Sequence, residues 1–301
     1  MRRIRGYSVT KFIDHPYVAK AAAYKVQTHC HSTGSDGEDT PTAVVTAYKN
    51  AGYHAVCLTD HEVATADPAV ADITFIPGHE ESSGQGHITF INSNGDMASA
   101  SGQNDITAIK NARGIPALNH PNDETNLWTE AERDTITDSL GCGIEVYNAI
   151  RGANPLQAYA EDIIDRELSR GKRYNLIASD DCHDVTYLFN LGWVVCFADS
   201  NTLANLLEAL RRGNFYASQG PTLTLSVTGG TFAVTAEAAS LIEFIGDGGA
   251  VVQSTANTTS ASYIIPIETA TYVRARVTRD SDSKKAWSNP VYIRNVRRVI
   301  S

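Results

Sequence analysis

Short apolar segments alternate with helical patterns along this chain from about Tyr24 to Tyr216, and this alternation constrains the fold more than any other feature. The apolar segments predict strands at Tyr24–Thr28, His54–Thr59, Ile73–Ile76, His87–Ile91, Ile115–Leu118, Gly143–Tyr147, Asn175–Ala178 and Trp193–Phe197. One helix is predicted between Thr40-Pro41 and Gly52, and the others at Ile106–Ala112, Pro155–Arg170 and Thr202–Arg212. Such repeated strand–helix units predict an α/β domain with a mainly parallel sheet, either open or closed into a barrel.

The pattern changes after the turn at Gly220-Pro221. The remaining chain has no helical periodicity and contains alternating segments such as Leu223–Val227 and Tyr272–Val277. This composition is typical of a small antiparallel β module. We therefore predict an α/β domain over residues 1–221 and a small all-β, sandwich-like domain over residues 222–301.

Composition excludes several classes of protein. The chain has a net charge of -9, which disfavours nucleic acid as a partner, whereas a small anion can still bind where metal ions dominate the local field. No apolar segment approaches the roughly 20 residues of a membrane helix. Neither a secretory signal nor a C-x-x-C motif occurs, and the five cysteines favour buried free thiols in a reducing compartment. We expect a cytoplasmic protein, although a signal segment removed earlier remains an alternative.

The densest chemical signal is the segment Thr28-His29-Cys30-His31-Ser32. Residues two apart on a strand point to the same face, so His29 and His31 are predicted to project together while Cys30 faces the opposite layer. Asp36 follows in the next loop. Two neutral imidazoles on one face form half of a site for zinc, manganese or iron.

Metal-binding side chains also follow four later predicted strands, and these residues are His61, Glu80, His120, Asp181 and His183. A single histidine after a strand is usually a surface or hydrogen-bonded residue. However, parallel α/β sheets place their active sites at the carboxyl ends of the strands, where all of these side chains lie. Their convergence predicts one metal centre.

The ordered motifs T-H-C-H-S-x3-D-G, L-T-D-H, G-H-E, N-H-P and S-D-D-C-H resemble those of the PHP (polymerase and histidinol phosphatase) superfamily, from about Val26 to Pro221. The segment from Arg212 to Pro221 and the later Ala286-Trp287-Ser288-Asn289-Pro290 resemble the CehA/McbA-type branch, which includes carbamate-hydrolysing enzymes. The resemblance implies a distorted (β/α)7 barrel, similar to a TIM barrel, with two or three divalent ions.

The resemblance also implies a role for each motif residue. His29, His31, Glu80 and Asp181 would bind a first ion, and Glu80 would bridge to a second ion that His120 also holds.

Asp36, His61 and His183 would bind a third ion. The family often supplies one further histidine after the glutamate, and His87 is the candidate here. Asp180 lies one residue too early for the family's D-x-H spacing, so we expect its side chain to point away.

Three further residues are candidates for substrate binding. Glu145 and Asn148 end a predicted strand on the same rim. Arg151 follows them, and a guanidinium suits a phosphate oxygen, although a loop arginine is more often a surface residue.

These features predict a metal-dependent phosphoesterase that hydrolyses a small phosphate mono- or diester through a metal-bridging hydroxide. The residues expected to take part in catalysis are Asp36, His61, Asp181 and His183. One alternative is a carbamate or amide hydrolase with the same centre, and another is a non-catalytic module that binds a glycan or a protein. A nuclease or proofreading role is disfavoured by the acidic composition. The metal, the leaving group and the oligomeric state stay open.

Overall fold

The computed structural model describes residues 6–84, 86–93 and 102–300, and within them the chain is a strand-rich α/β protein with two sheets. The helices are α1 (Pro41–Asn50), α2 (Gln103–Asn111), α3 (Glu130–Thr135), α4 (Pro155–Ala158), α5 (Glu161–Ser169) and α6 (Leu203–Arg212). The first strands are β1 (Gly6–Asp14), β2 (Ala22–Gln27), β3 (Ala55–Cys57), β4 (Thr74–Ile76), β5 (Gly78–Glu81), β6 (Ile88–Ile91), β7 (Ile115–Leu118), β8 (Cys142–Asn148) and β9 (Tyr174–Ser179). The later strands are β10 (Trp193–Ala198), β11 (Phe215–Ser218), β12 (Leu223–Thr228), β13 (Thr231–Ile245), β14 (Val251–Ile264), β15 (Tyr272–Arg279), β16 (Lys285–Ser288) and β17 (Val291–Ile300).

The smaller sheet has the order β5-β6-β7-β8-β9. Strands β7, β8 and β9 are parallel, whereas β5–β6 and β6–β7 are antiparallel. The larger sheet runs β1-β17-β15-β16-β11-β10-β2-β3-β4, and in it only β2, β3 and β4 are mutually parallel. The prediction of a mainly parallel sheet is therefore wrong, because parallel pairing is limited to β2–β3–β4 and β7–β8–β9, and Glu80 lies on the antiparallel strand β5.

The hydrogen-bonded ladders of the described strands form these two sheets and not one closed barrel. Two isolated parallel bridges connect the sheets at the carboxyl ends of their strands. One joins Cys30 with Cys182, and the other joins His61 with Glu80. All four residues belong to motifs that carry candidate metal ligands, so the ligand-bearing strand ends of both sheets meet at one place.

The chain beyond residue 221 contains strands and no α-helix among the described residues, and β12 to β17 pair only in antiparallel fashion with each other, with β1 and with β11. The sequence did not predict β1, which pairs with β17 along its whole length. The limits 1–221 and 222–301 stay a prediction, and residues 1–5, 85, 94–101 and 301 of those ranges lie outside the described residues.

The predicted starts of α1 and α6 are confirmed, and each has a threonine N-cap. The Thr40 side chain accepts a hydrogen bond from the backbone of Ala43 at 3.3 Å, and proline begins α1, as a capped helix start requires. The single predicted helix Pro155–Arg170 is wrong, because the chain leaves the helix at Tyr159. The backbone there is extended and forms a bridge with Tyr147 of β8, so a short α4 precedes α5.

The core confirms one smaller expectation. All five cysteines are free and buried. The helices among the described residues include none that is long and apolar enough to cross a membrane.

Candidate metal centre

His29 and His31 follow β2 and are both about 1% exposed. Their Nε2 atoms lie 3.2 Å apart. Each Nε2 atom lies 3.2 Å from Glu80 Oε2 and 3.2 Å from Asp181 Oδ1. The side chain of Cys30 points the other way and donates to the Cys57 carbonyl at 3.3 Å. The alternation predicted for this strand end is therefore confirmed, and four donor atoms from distant parts of the chain converge.

The spacing of these four donor atoms fits a cation. Five of their six mutual distances are 3.2 Å. A regular tetrahedron with such edges has its centre about 2.0 Å from each corner, which matches typical zinc–nitrogen and zinc–oxygen bond lengths. Asp181 Oδ1 is buried, and among the described residues no group donates a hydrogen bond to it. Its lone pairs thus face a point that a metal ion can fill.

Two of the converging residues have unusual backbone conformations. Asp181 has φ +51° and His120 has φ +25°, in the left-handed region that non-glycine residues seldom adopt. His120 lies two residues after the end of β7, and Asp181 lies two residues after the end of β9. Such conformations persist where the surrounding structure holds them and are concentrated at functional sites.

Glu80 faces two groups of histidines at once. Its Oε2 atom points to His29 and His31, whereas its Oε1 atom lies 3.1 Å from His87 Nδ1 and 3.5 Å from His120 Nε2. Donor atoms of His61, Glu80 and His87 also lie within 4.8 Å of one another. The Asn119 side-chain amide donates to Oε1 and fixes the carboxylate plane. Glu80 therefore presents one carboxylate oxygen to each of two groups of histidines.

A third group lies nearer the solvent. Asp36 Oδ2 is 3.5 Å from His61 Nε2 and 3.3 Å from His183 Nε2, and His31 completes the group. The side chains of Asp36, His61 and His183 are 54%, 20% and 23% exposed. The structure therefore brings together all nine residues predicted as ligands, and their roles as ligands stay a prediction.

Glu145 lies behind the histidines and not at the rim. Its Oε1 atom accepts from His29 Nδ1 at 2.8 Å and from the Ser179 hydroxyl. Its Oε2 atom accepts from the His120 backbone at 2.6 Å and from the Asn148 amide at 2.8 Å. The Asn148 amide also donates to Asp181 Oδ2 at 3.1 Å. These contacts orient metal-binding groups, and the predicted substrate contacts of Glu145 and Asn148 stay untested expectations.

Arg151 forms an ion pair with Asp123 and keeps 29% of its side chain exposed. Asp123 Oδ2 lies 3.9 Å from His120 Nδ1, so the pair stands beside the candidate ligands. Asp123 also accepts hydrogen bonds from the backbone and hydroxyl of Thr125. Arg151 is thus held at the edge of the centre by a buried carboxylate.

Asp180 points away from the centre, as expected from its spacing. Its carboxylate accepts hydrogen bonds from Tyr48 at 2.9 Å and from three consecutive backbone amides that end at Gly192. Burial raises the pKa of Asp180 to about 6. Asp60 likewise binds the loop at Ser32 and Ser35. Both carboxylates hold ligand-bearing loops in place.

The electrostatics of the centre follow from the buried carboxylates. Burial alone lowers the pKa of His31, but Asp181 and Glu80 raise it to about 9. Burial alone raises the pKa of Glu80, but His29 and His120 lower it well below its usual value. These carboxylates are therefore ionised at neutral pH and attract positive charge, which protons or metal ions can supply.

Comparison with solved structures identifies the fold. A two-domain protein from Bacteroides vulgatus, described as containing a predicted PHP-like metal-dependent phosphoesterase, matches 95% of this chain and 98% of its own, with 17% identity and a TM-score of 0.54. The chain has the fold of this two-domain PHP-like protein. A candidate metal-dependent phosphoesterase from Bifidobacterium adolescentis matches 52% of this chain and 87% of its own, with 16% identity and a TM-score of 0.39. No family model and no curated protein matches the chain.

Four residues of the centre had no predicted role. Asn119 contacts Glu80, Ser179 contacts Glu145, and Asp123 pairs with Arg151. Trp128 donates to the His87 carbonyl at 2.8 Å. Asn119 and Ser179 lie within two residues of candidate ligands, which is a usable sequence signal. Asp123 and Trp128 lie in a loop with no recognisable motif.

Proposed function

We propose that this protein is a metal-dependent phosphoesterase that acts on a small phosphate mono- or diester. The observation that carries the proposal is the convergence of His29, His31, Glu80 and Asp181, whose donor atoms lie 3.2 Å apart in the pairs given above. The fold shared with the Bacteroides protein supports the same class of enzyme.

The proposed ligands fall into three groups, which are His29, His31, Glu80 and Asp181; Glu80, His87 and His120; and Asp36, His61 and His183. Zinc, manganese and iron all suit such donors. When bound, divalent ions lower the pKa of water toward ~7 and polarise phosphoryl oxygens. Three such ions would carry six positive charges against the four carboxylates Asp36, Glu80, Glu145 and Asp181, and this surplus would favour an anionic substrate.

The remaining residues of the centre orient the ligands. Glu145 accepts from His29 Nδ1, so Nε2 of the same ring presents its lone pair to the centre. The Asp181 carbonyl, 2.9 Å from His183 Nδ1, orients the His183 ring in the same way. Asn119 holds Glu80. These contacts preorganise the donor atoms, which is the principal contribution of a protein to this chemistry.

Arg151 is the residue we assign to a substrate phosphate oxygen. Asp123 holds its guanidinium beside His120, and the exposed part of the side chain faces solvent. A guanidinium offers parallel donors that match two oxygens of a phosphate. If only two ions bind, the imidazolium form of His183 would donate its Nε2 proton to the leaving oxygen; if a third ion binds, Nε2 would be a ligand instead.

We further propose that the two sheets correspond to the distorted barrel of the PHP superfamily. The bridges between Cys30 and Cys182 and between His61 and Glu80 support closure at the ligand end. The proposal extends to the CehA/McbA-like branch and to the domain limits 1–221 and 222–301, on the motifs described above.

The experiment that tests the function combines metal analysis of the purified protein with three substrates. These are p-nitrophenyl phosphate, bis-p-nitrophenyl phosphate and 1-naphthyl N-methylcarbamate. We expect bound divalent metal and turnover of at least one phosphate ester. Turnover of the carbamate alone would replace the proposal with the carbamate hydrolase, and absence of both metal and turnover would exclude an enzyme of this type.

Substitutions at the first group provide the residue-level test. We expect His31→Ala and Asp181→Asn each to lower turnover at least about 100-fold and to reduce bound metal, because each removes a direct donor. His54→Gln is the control, since His54 accepts a backbone hydrogen bond from Lys25 outside the centre. Full metal content and full turnover in either ligand variant would rule out the assignment.

A further inference from the structure

A polar cavity lies at the opposite end of the strands from the candidate metal centre. It opens beside residues that precede β8 and β9, whereas the candidate ligands follow β7 and β9. Its volume is about 380 Å³. The residues of its wall that matter here are Asp14, His15, Arg173, Arg211, Arg212 and Arg294.

The wall carries an excess of positive charge. It contains four arginines and a single carboxylate, in a chain whose net charge is -9. That carboxylate, Asp14, accepts from Arg173 Nη2 at 2.8 Å and from Arg294 Nη1 at 3.1 Å. The single negative charge of Asp14 therefore neutralises only part of the positive charge of Arg173 and Arg294.

Two buried polar atoms of the wall have no partner among the described residues. These atoms are Arg173 Nε and His15 Nδ1. Buried polar groups are normally hydrogen-bonded, so hydrogen bonding at this wall is incomplete among the described residues. The Arg173 guanidinium lies 4.7 Å from the centre of the Tyr292 ring, which holds it in place at the wall.

The dipole of α6 accounts for only two of the four arginines. Arg211 and Arg212 lie in the last turn of this helix, where cations interact favourably with the dipole. Arg212 pairs with Glu208, and Arg211 donates to the Arg113 carbonyl. The dipole does not account for Arg173 and Arg294, which come from other elements and face the same cavity.

We propose that this cavity binds a small organic anion that bears phosphate or carboxylate groups, at a site separate from the metal centre. Arginine pairs such groups through two parallel hydrogen bonds. The volume falls within the range of about 300–1,000 Å³ that is usual for small-molecule sites.

The test is calorimetric titration with inorganic phosphate and with malonate at constant ionic strength. His31→Ala disables the metal centre, Arg173→Gln and Arg211→Gln alter the cavity, and Arg279→Gln is a charge-matched control that pairs with Glu237 and Asp282 elsewhere. We expect His31→Ala to retain binding at the cavity with the wild-type Kd. Each cavity variant should weaken this binding at least 10-fold, and the control should leave it unchanged.

Each result decides the proposal. Binding of phosphate, malonate or both that the cavity variants weaken supports it and identifies the anionic group. Wild-type affinity in both cavity variants, loss of all binding in His31→Ala, or no binding of either anion would overturn it. Arg211→Gln keeps the test valid if Arg173→Gln fails to fold. Among the described residues, the side chain of Arg211 donates a hydrogen bond only to the Arg113 carbonyl, so its replacement should leave the fold intact. None of these results depends on hydrolytic activity.

Discussion

The position of one proton decides whether His29 can bind a cation. Its Nδ1 atom lies 2.8 Å from Glu145, which is a carboxylate acceptor, so Nδ1 carries the proton. When a metal ion is bound, the Nε2 atom would be the acceptor directed at the point shared with His31, Glu80 and Asp181. A buried carboxylate behind a histidine is the arrangement that fixes the tautomer and raises the basicity of a metal ligand.

We therefore predict that Glu145→Gln weakens metal binding about 10- to 100-fold and lowers turnover with it, because an amide is a poorer acceptor for the imidazole proton. The measurement is the dissociation constant of the purified protein for zinc or manganese. Glu208→Gln, at an exposed position on α6, should behave like the wild type. Unchanged metal affinity in Glu145→Gln would show that this contact has no role in the centre.

A buried ionic network joins α5 to β15. Arg274 is 1% exposed and lies 2.6 Å from Asp165 and 2.9 Å from Glu161. Arg276 lies 3.0 Å from Glu161 and 2.8 Å from Glu243. Helix α5 contacts β8, which carries Glu145, whereas β15 belongs to the C-terminal strands, so the network links these two parts of the chain.

We predict that Arg274→Gln lowers the free energy of unfolding by about 3–5 kcal/mol, because Asp165 would keep its buried charge without its guanidinium partner and Glu161 would lose one of its two arginines. Urea denaturation measures this change. Arg276→Gln, at a partly exposed position, should cost clearly less. Equal effects of the two substitutions would contradict the burial argument.

The same network predicts a pH dependence of stability. Burial alone raises the pKa of Glu161, but Arg274 and Arg276 lower it below its ordinary value of 4.5. A depressed pKa contributes stability above about pH 4.5 that is lost as the pH falls through the value in the folded state. Between pH 6 and pH 3 the wild type should therefore lose more unfolding free energy than Glu161→Gln does. Parallel curves for the two proteins would refute this prediction.

At the scale of the whole molecule, the centre spans a gradient of exposure. The side chains of His29, His31, Glu80 and Asp181 are all at most 5% exposed. The group of Asp36, His61 and His183 is open to solvent. The ligand ends of two sheets meet here, with the buried group between them and the exposed group in the loops.

We predict that a chelator removes metal in two phases. The exposed group should lose its ion first with little change in Tm, and the buried group should lose its ion later with a clear fall in Tm, since metal bound only by the folded state stabilises it. Metal content and Tm, measured on aliquots during incubation with EDTA, test this. A single phase would mean that the groups do not bind metal independently.

The sequence identified most of the candidate ligands because they come shortly after a short apolar strand. The exceptions are Asp36, in a loop, Glu80, within β5, and His87, just before β6. The sequence missed β5, because three of the four residues in Gly78–Glu81 are polar and yet fully buried. Its burial depends on close packing, since a Cβ on Gly78 would lie 2.5 Å from Cys57 Sγ. It also missed β1, whose pairing with β17 joins the two ends of the chain, and no local pattern encodes such a contact.

The sequence by itself determined which side chains are candidates for metal binding, and that His29 and His31 share a face opposite Cys30, because side-chain alternation and strand-end position are local properties of the chain. Only the tertiary structure decided how these residues combine. It brought Glu80 between two groups of histidines, placed Glu145 behind His29 instead of at the rim, and formed an arginine-lined cavity at the opposite end. Such distances depend on the pairing of strands that are far apart in the chain, and that pairing is set by packing of the whole molecule.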